Sequence, residues 1–144
     1  MRPGEKDGVD YYFVTKERFL KMKAEGRFVE TTEYNGNYYG STLSEIADDK
    51  AIIVDPSGLE AFRKLGNKRI VTFFFYADEE CRRARMALRG DSPEAIEKRI
   101  ATDRVVFDKK KIGPVDFEID TTHMDVEEVA ATVLRLYQER LKSL

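Results

Sequence analysis

The chain has 144 residues and a formal net charge of −2, from 25 basic and 27 acidic side chains. Its length fits one domain, or one with a small inserted lobe, and its balanced charge gives no reason to expect a nucleic-acid partner. The sequence contains no apolar run near the roughly 18 residues of a membrane span, and its single cysteine, Cys81, excludes a disulfide framework and favours a cytoplasmic protein.

The first third of the chain predicts a small antiparallel lobe, residues 1–50, with one helix. Thr15 is placed to cap this helix, and Gly26 is placed to end it. Two β-forming segments flank Asn35-Gly36, the dipeptide that most strongly indicates a two-residue hairpin turn. The predicted strands are residues 9–14, 27–34 and 37–40.

The remaining residues, 51–144, predict an α/β arrangement. Short apolar runs typical of strands covered on both faces alternate with helices that begin at capping residues such as Asp78 and Ser92, which favours a parallel sheet. Lys109–Lys111, followed by Gly113-Pro114, indicates a loop. The predicted strands are residues 51–54, 69–76 and 115–119, and the predicted helices are residues 59–65, 78–88, 92–107 and 126 onward.

Four short segments in a fixed order carry a resemblance to a known family. They are Arg2-Pro3-Gly4-Glu5 with Asp10-Tyr11, Gly36-Asn37-Tyr38-Tyr39-Gly40-Ser41, Val54-Asp55-Pro56-Ser57-Gly58 and Arg85-Met86-Ala87-Leu88-Arg89-Gly90. Together they resemble the guanylate kinase family, whose members phosphorylate GMP from ATP. The resemblance covers essentially the whole chain. It implies a P-loop-kinase-like parallel sheet flanked by helices, a small antiparallel GMP-binding lobe and a helical lid at about residues 82–107.

The resemblance also implies a GMP site. Its arginine and tyrosines would hold the phosphate, because a dianion needs a guanidinium and can accept from phenol hydroxyls. Its two acids would select guanine, whose N1–H and exocyclic amine can both donate to one carboxylate, and its serine would add a hydroxyl. Without the resemblance, the tyrosines are typical packing residues and the acids a surface charge and a turn former. The implied site is Arg2, Tyr11, Glu30, Tyr39, Ser41 and Asp55.

The lid implied by the resemblance carries cations that would neutralise the phosphates during transfer. These are Arg85, Arg89 and Arg99. The same arginine-rich helix is otherwise typical of a solvated face paired with its own acids, Asp78, Glu79 and Glu80. Asp91 follows Gly90 where the family has threonine, which adds a negative charge. No metal ligand is predicted in the chain.

The main departure from the family is the donor site. The 144 residues contain no Gly-x-x-x-x-Gly-Lys-Ser/Thr loop, whose amides cradle the phosphates of ATP and whose hydroxyl holds Mg²⁺. ATP and Mg²⁺ are therefore expected only with a complete kinase. Three alternatives stay open: a GMP-binding module, an incomplete kinase, or a non-catalytic interaction module that binds a phosphorylated protein partner.

The missing first strand has a structural consequence. In this family it lies in the middle of the sheet, so residues 51–54 and 69–76 would be left with open edges. Two outcomes are expected: a homodimer that fills the gap, or a rearranged sheet in which these two strands pair directly.

Overall fold

The structure is a computed structural model that describes every residue from Met1 to Leu144. The chain forms two compact units, Met1–Ile52 and Ile53–Leu144. The sequence predicts a division at residue 50, with a GMP-binding lobe before it and a truncated core after it. These two roles stay predictions. None of the helices is both long enough and apolar enough to cross a bilayer.

The first unit is a helix packed on a β-hairpin. Thr15 accepts a hydrogen bond from the Arg18 amide at 3.1 Å, so the predicted cap is confirmed. Asn35 and Gly36 both have positive φ, 50° and 76°, as the predicted two-residue turn requires. The elements are helix α1, Lys16–Ala24, strands β1, Phe28–Tyr34, and β2, Asn37–Thr42, and a short 3₁₀ helix, Leu43–Glu45.

One face of the hairpin forms the small core of this unit. Phe19 of α1 is 5% exposed, and its ring centroid lies 4.6 Å from that of Phe28 and 5.5 Å from that of Tyr38. Gly40, on the same face, has no room for a side chain, because a Cβ there would lie 2.7 Å from the Phe28 ring. The face that carries Phe28, Tyr38 and Gly40 is therefore committed to packing.

The predicted strand at residues 9–14 is wrong. These residues form a loop in which the Asp7 side chain accepts from the Phe13 N–H at 2.8 Å, and the Lys6 carbonyl accepts from the N–H groups of Val9 and Asp10 at 3.1 and 3.0 Å. Short acidic side chains compete with a strand ladder for backbone donors. The β-forming composition of the segment did not reveal this competition.

The second unit is a mixed α/β arrangement, which confirms the predicted fold class. Its sheet has two parallel strands, paired from Phe73↔Phe117 to Tyr76↔Asp120. The predicted caps Asp78 and Ser92 accept from backbone N–H groups at 2.7 and 3.2 Å. The elements are α2, Pro56–Lys64, β3, Phe73–Tyr76, α3, Glu79–Arg89, α4, Pro93–Val106, α5, Lys109–Ile112, β4, Phe117–Asp120, and α6, Val126–Lys142.

Two strand predictions in this unit need correction. Residues 51–54 form no strand, and the strand predicted at residues 69–76 is reduced to β3. Asn67 explains the late start of β3, since its side chain accepts from the Arg69 N–H at 3.0 Å and its carbonyl accepts from the Ile70 N–H at 3.0 Å, which extends the preceding turn. The two segments do not pair directly, so that predicted rearrangement is wrong. Homodimer formation stays a prediction.

A third correction concerns the predicted loop at Lys109–Lys111. These residues form the short helix α5, because the Asp108 side chain accepts from the Lys110 N–H at 2.9 Å and caps it. A capping aspartate outweighed the charge repulsion of three consecutive lysines.

The core of the second unit lies between α3 and α4. Met86, Ile96 and Ile100 form a buried cluster, and Ile100 is 1% exposed. Helix α6, by contrast, contains no buried residue, although it has 17 residues and an apolar stripe. Leu134 of that stripe is 57% exposed.

Candidate functional site

The hairpin places three predicted site residues on one face. Side chains alternate along a strand, so Glu30, Tyr39 and Ser41 lie on the face opposite the one that packs on α1. Glu30 is paired directly with Ser41, whose hydroxyl donates to the Glu30 carboxylate at 2.9 Å. Both side chains are half-buried. The hydrogen bond fixes the orientation of a carboxylate that can still accept further donors.

The loop at residues 2–13 brings Tyr11 to this face. Its ring meets that of Tyr39 edge to face, with centroids 5.7 Å apart. The Arg2 guanidinium has one ionic partner, Glu5, at 3.8 Å, and its side chain is 70% exposed. A partner at that distance and exposure holds Arg2 weakly. The first unit thus brings together a carboxylate, two tyrosines and a hydroxyl, with an exposed cation on the same loop as Tyr11.

Asp55 lies in the second unit, where it caps helix α2. Its Oδ1 atom accepts from the Gly58 N–H and from the Ser57 hydroxyl, each at 2.8 Å. These bonds hold the pKa of Asp55 below its usual value, the Gly58 amide contributing most. Gly58 is required by close approach, since a Cβ there would lie 3.0 Å from that of Val54. The joint use of Asp55 with Glu30 stays a prediction.

Each predicted lid arginine has a partner within the second unit. Arg85 donates to the carbonyl of Thr121 and, at 3.4 Å, to that of Met124, which joins α3 to the segment after β4. Arg89 pairs with Asp91, and this ion pair lowers the pKa of Asp91. Their roles toward phosphate stay predictions, and Arg85 also has a structural role that the sequence did not indicate.

Arg99, the third predicted lid cation, belongs to a different ion pair. Its Nε atom lies 3.2 Å from Asp103 Oδ1, one turn further along α4, and its side chain is 66% exposed. The second oxygen of Asp103 lies 3.5 Å from Arg82 of helix α3. Asp103 therefore connects the two lid helices, and Arg99 is held at the edge of that connection.

Glu79 is the central carboxylate of the predicted lid. The sequence pairs it only with arginines of its own helix and does not predict its bridge to α4. Arg104 of α4 donates to it with both Nε and Nη2, the second at 2.6 Å, and lowers its pKa to about 2. Arg83, on Glu79's own helix, lies 3.5 Å from it and binds Glu97 of α4 at 2.8 Å. Arg104 follows Glu79 by 25 positions, a separation that no helical-spacing rule detects.

No three His, Cys, Asp or Glu side chains of the chain are grouped so that they could hold a metal ion. The chain therefore holds no cluster of side chains that would bind a metal ion by themselves. Two acidic side chains of the second unit have structural partners instead: Asp55 caps α2, and Asp91 pairs with Arg89.

Comparison with known proteins identifies the family. The guanylate kinase family model matches residues 1–139. Guanylate kinase from Symbiobacterium thermophilum is 38% identical over 107 residues, which are 69% of this chain and 51% of that protein. Guanylate kinase from Anaplasma phagocytophilum is 30% identical over 151 aligned positions, covering 99% of this chain and 70% of that protein.

The fold indicates the same family. The crystal structure of guanylate kinase from Anaplasma phagocytophilum matches 96% of this chain and 69% of its own, with a TM-score of 0.64 and 25% sequence identity. The fold and the family match thus define a nucleotide-kinase type of α/β protein. The chain belongs to the guanylate kinase family. It spans about half the length of several of the curated relatives that it matches.

Proposed function

We propose that this chain is a GMP-binding module of guanylate kinase type, which uses the outer face of the β1–β2 hairpin as a phosphate-acceptor site. The observation that carries the proposal is the hydrogen-bonded Glu30–Ser41 pair, 2.9 Å long, on the same face as Tyr39. A fixed carboxylate suits the adjacent N1–H and amine donors of guanine. Adenine has no such pair of donors, so it would leave the carboxylate with the Ser41 hydroxyl alone.

The phosphate of GMP is assigned to Arg2, Tyr11 and Tyr39. A dianionic phosphate gains most from a guanidinium, which donates two hydrogen bonds, and phenol hydroxyls add neutral donors. Arg2 is exposed and only weakly held by Glu5, so it can change partner at small cost. Asp55 is assigned a second contact to guanine through its Oδ2 atom, since its two helix-capping bonds end on Oδ1.

Phosphoryl transfer from ATP to give GDP is proposed only for a complete kinase that supplies an ATP site. The 144 residues contain no phosphate-binding loop sequence, and catalysis of this kind depends on positioning and electrostatics around the transferred group. Arg85, Arg89 and Arg99 are assigned to the lid of such a kinase. A cytoplasmic location fits the single cysteine, Cys81, which is free and half-buried.

Calorimetry with GMP and AMP tests the GMP-binding proposal. An unsatisfied buried polar group costs roughly 1–3 kcal/mol, so GMP should bind about tenfold more tightly than AMP or better. Glu30→Gln should remove most of this preference. Glu33→Gln is the matched control, because Glu33 lies on the same strand, is exposed, and pairs with Tyr38 rather than with a site residue. Equal binding of the two nucleotides would contradict the proposal.

A non-catalytic module that binds a phosphorylated protein is the second candidate. The exposed Arg2 and the Tyr11–Tyr39 pair would suit any phosphate monoester, whatever carries it. A phosphoserine peptide that displaces GMP, and whose affinity does not change in Glu30→Gln, would favour this candidate. GMP binding that no phosphopeptide displaces would exclude it.

A further inference from the structure

Tyr11 is assigned to the phosphate, yet it lies in no strand. Residues 9–14 form a loop, so the backbone around Tyr11 lacks the hydrogen-bonded ladder that orients Tyr39 in β2. The Tyr11 side chain is also 49% exposed. A loop side chain holds its hydroxyl in one place only when other contacts fix both its backbone and its ring. Those contacts lead to a residue outside the proposed site.

Two hydrogen bonds close the loop around Tyr11. The Gly8 N–H donates to the Tyr11 carbonyl at 2.7 Å, and this bond holds the backbone of Tyr11 itself. The Phe13 N–H donates to the Asp7 Oδ1 atom at 2.8 Å, and this bond holds the backbone two positions further on. The outer of the two bonds therefore depends on a side chain, that of Asp7.

Phe13 carries this constraint to the Tyr11 ring. The two rings meet edge to face, with centroids 5.8 Å apart, and the Tyr11 ring meets that of Tyr39 in the same way at 5.7 Å. Edge-to-face contacts favour a defined orientation of the rings. Because Asp7 fixes the backbone of Phe13, it also fixes the ring on which Tyr11 packs.

We propose that Asp7 is a positioning residue for the phosphate part of the acceptor site. Through Phe13 it holds the Tyr11 ring against Tyr39, so that the Tyr11 hydroxyl can donate to the phosphate of GMP. This inference rests on the proposed function, which assigns Tyr11 to the phosphate. The role needs a hydrogen-bond acceptor and no charge. Asp7→Asn should therefore preserve it, because an asparagine oxygen also accepts, whereas Asp7→Ala should abolish it.

The position of the Tyr11 ring can be measured without nucleotide. In the unchanged chain, nuclear Overhauser effects should connect the ring protons of Tyr11 and Tyr39. They should be lost in Asp7→Ala and retained in Asp7→Asn. Asp49→Ala is the matched control, because Asp49 is an exposed aspartate of the same unit that lies outside the loop and the proposed site. This control should leave the ring contacts unchanged.

Calorimetry with GMP and guanosine separates positioning from a general effect on the fold. Loss of one hydrogen bond of this kind should make Asp7→Ala bind GMP about fivefold more weakly. Guanosine has no phosphate, so its affinity should not change. In a Tyr11→Phe background, which already lacks the hydroxyl, Asp7→Ala should have no further effect on GMP binding. Asp7→Asn should restore the affinity for GMP.

Ring contacts that persist in Asp7→Ala would overturn the inference. Equal weakening of GMP and guanosine would also overturn it, as would failure of Asp7→Asn to restore the ring contacts and the affinity. Loss of the ring contacts with unchanged GMP affinity would overturn it together with the assignment of Tyr11 to the phosphate. A chain that binds no GMP, but whose ring contacts depend on Asp7, would refute the proposed function and support the positioning of Tyr11.

Discussion

Gly40 connects the packing of the hairpin to its binding face, and its replacement by alanine tests that connection. A Cβ at residue 40 would lie 2.7 and 2.8 Å from two carbons of the Phe28 ring and 3.2 Å from the Glu30 carbonyl oxygen. Favourable carbon–carbon separation is about 3.5–4.0 Å, so ring and strand must separate by close to 1 Å. The ring cannot simply turn away, because it packs on Phe19 at 4.6 Å.

The expected change in the free energy of unfolding of Gly40→Ala is the balance of two opposing effects. Overpacking of this kind typically costs 1–3 kcal/mol, whereas replacing glycine in a strand returns roughly 0.5–1 kcal/mol. Gly40→Ala should therefore lower the free energy of unfolding by about 1–2 kcal/mol. Because Gly40 precedes Ser41, displacement of β2 should also lengthen the Ser41–Glu30 hydrogen bond and weaken GMP binding.

Urea unfolding of a double-mutant cycle with Phe28→Leu measures this effect. The shorter leucine removes the ring contact, so Gly40→Ala should cost at least 1 kcal/mol less in that background than in the unchanged chain. A Gly40→Ala chain of unchanged stability, or one whose cost is the same in both backgrounds, would refute the argument that the Phe28 ring excludes a side chain at Gly40.

Three further predictions concern the second unit. Ile100→Ala should lower the free energy of unfolding by about 2–5 kcal/mol, because Ile100 is 1% exposed, and urea unfolding measures it. Arg104 lowers the pKa of Glu79 to about 2, so the contribution of this ion pair to stability is complete above pH 4.5 and is lost as pH falls toward 2. Thermal unfolding against pH should show this loss, and Glu79→Gln should abolish the pH dependence. Asp55→Ala should cost about 1 kcal/mol through loss of the α2 cap, whereas Asp55→Asn should keep stability but weaken GMP binding in calorimetry.

The sequence predicted best the features that a few neighbouring residues determine. The caps at Thr15, Asp78 and Ser92 and the Asn35-Gly36 turn are local, because each depends on groups within three positions. The face shared by Glu30 and Ser41 could also have been derived, since the turn sets the hairpin register and the register sets which side chains pair.

The two failed strand predictions share one physical cause, which is that a β-forming composition does not by itself supply a pairing partner. In residues 9–14 the Phe13 N–H donates to Asp7 and the N–H groups of Val9 and Asp10 turn back to the Lys6 carbonyl, and residues 51–54 have no neighbouring strand. The Glu79–Arg104 bridge was missed for a related reason, because it depends on how two helices pack and not on spacing within one of them. Contacts between distant residues are what the sequence pattern leaves undetermined.

The arginines assigned to the lid differ in how firmly their present partners hold them. The Arg85 guanidinium donates hydrogen bonds to the carbonyls of Thr121 and Met124. Its approach to a phosphate would require those bonds to break. Arg89 meets only Asp91, which is a surface pair and worth little in water, so its charge is the easier of the two to redirect. The order in which the lid cations reach a phosphate should therefore depend on how strongly each is held by its present hydrogen-bond and ion-pair partners. Arg89→Ala should leave the stability of this chain unchanged in thermal unfolding, whereas Arg85→Ala should lower it by loosening the connection between α3 and the segment after β4. Equal stability of the two variants would contradict this division of roles.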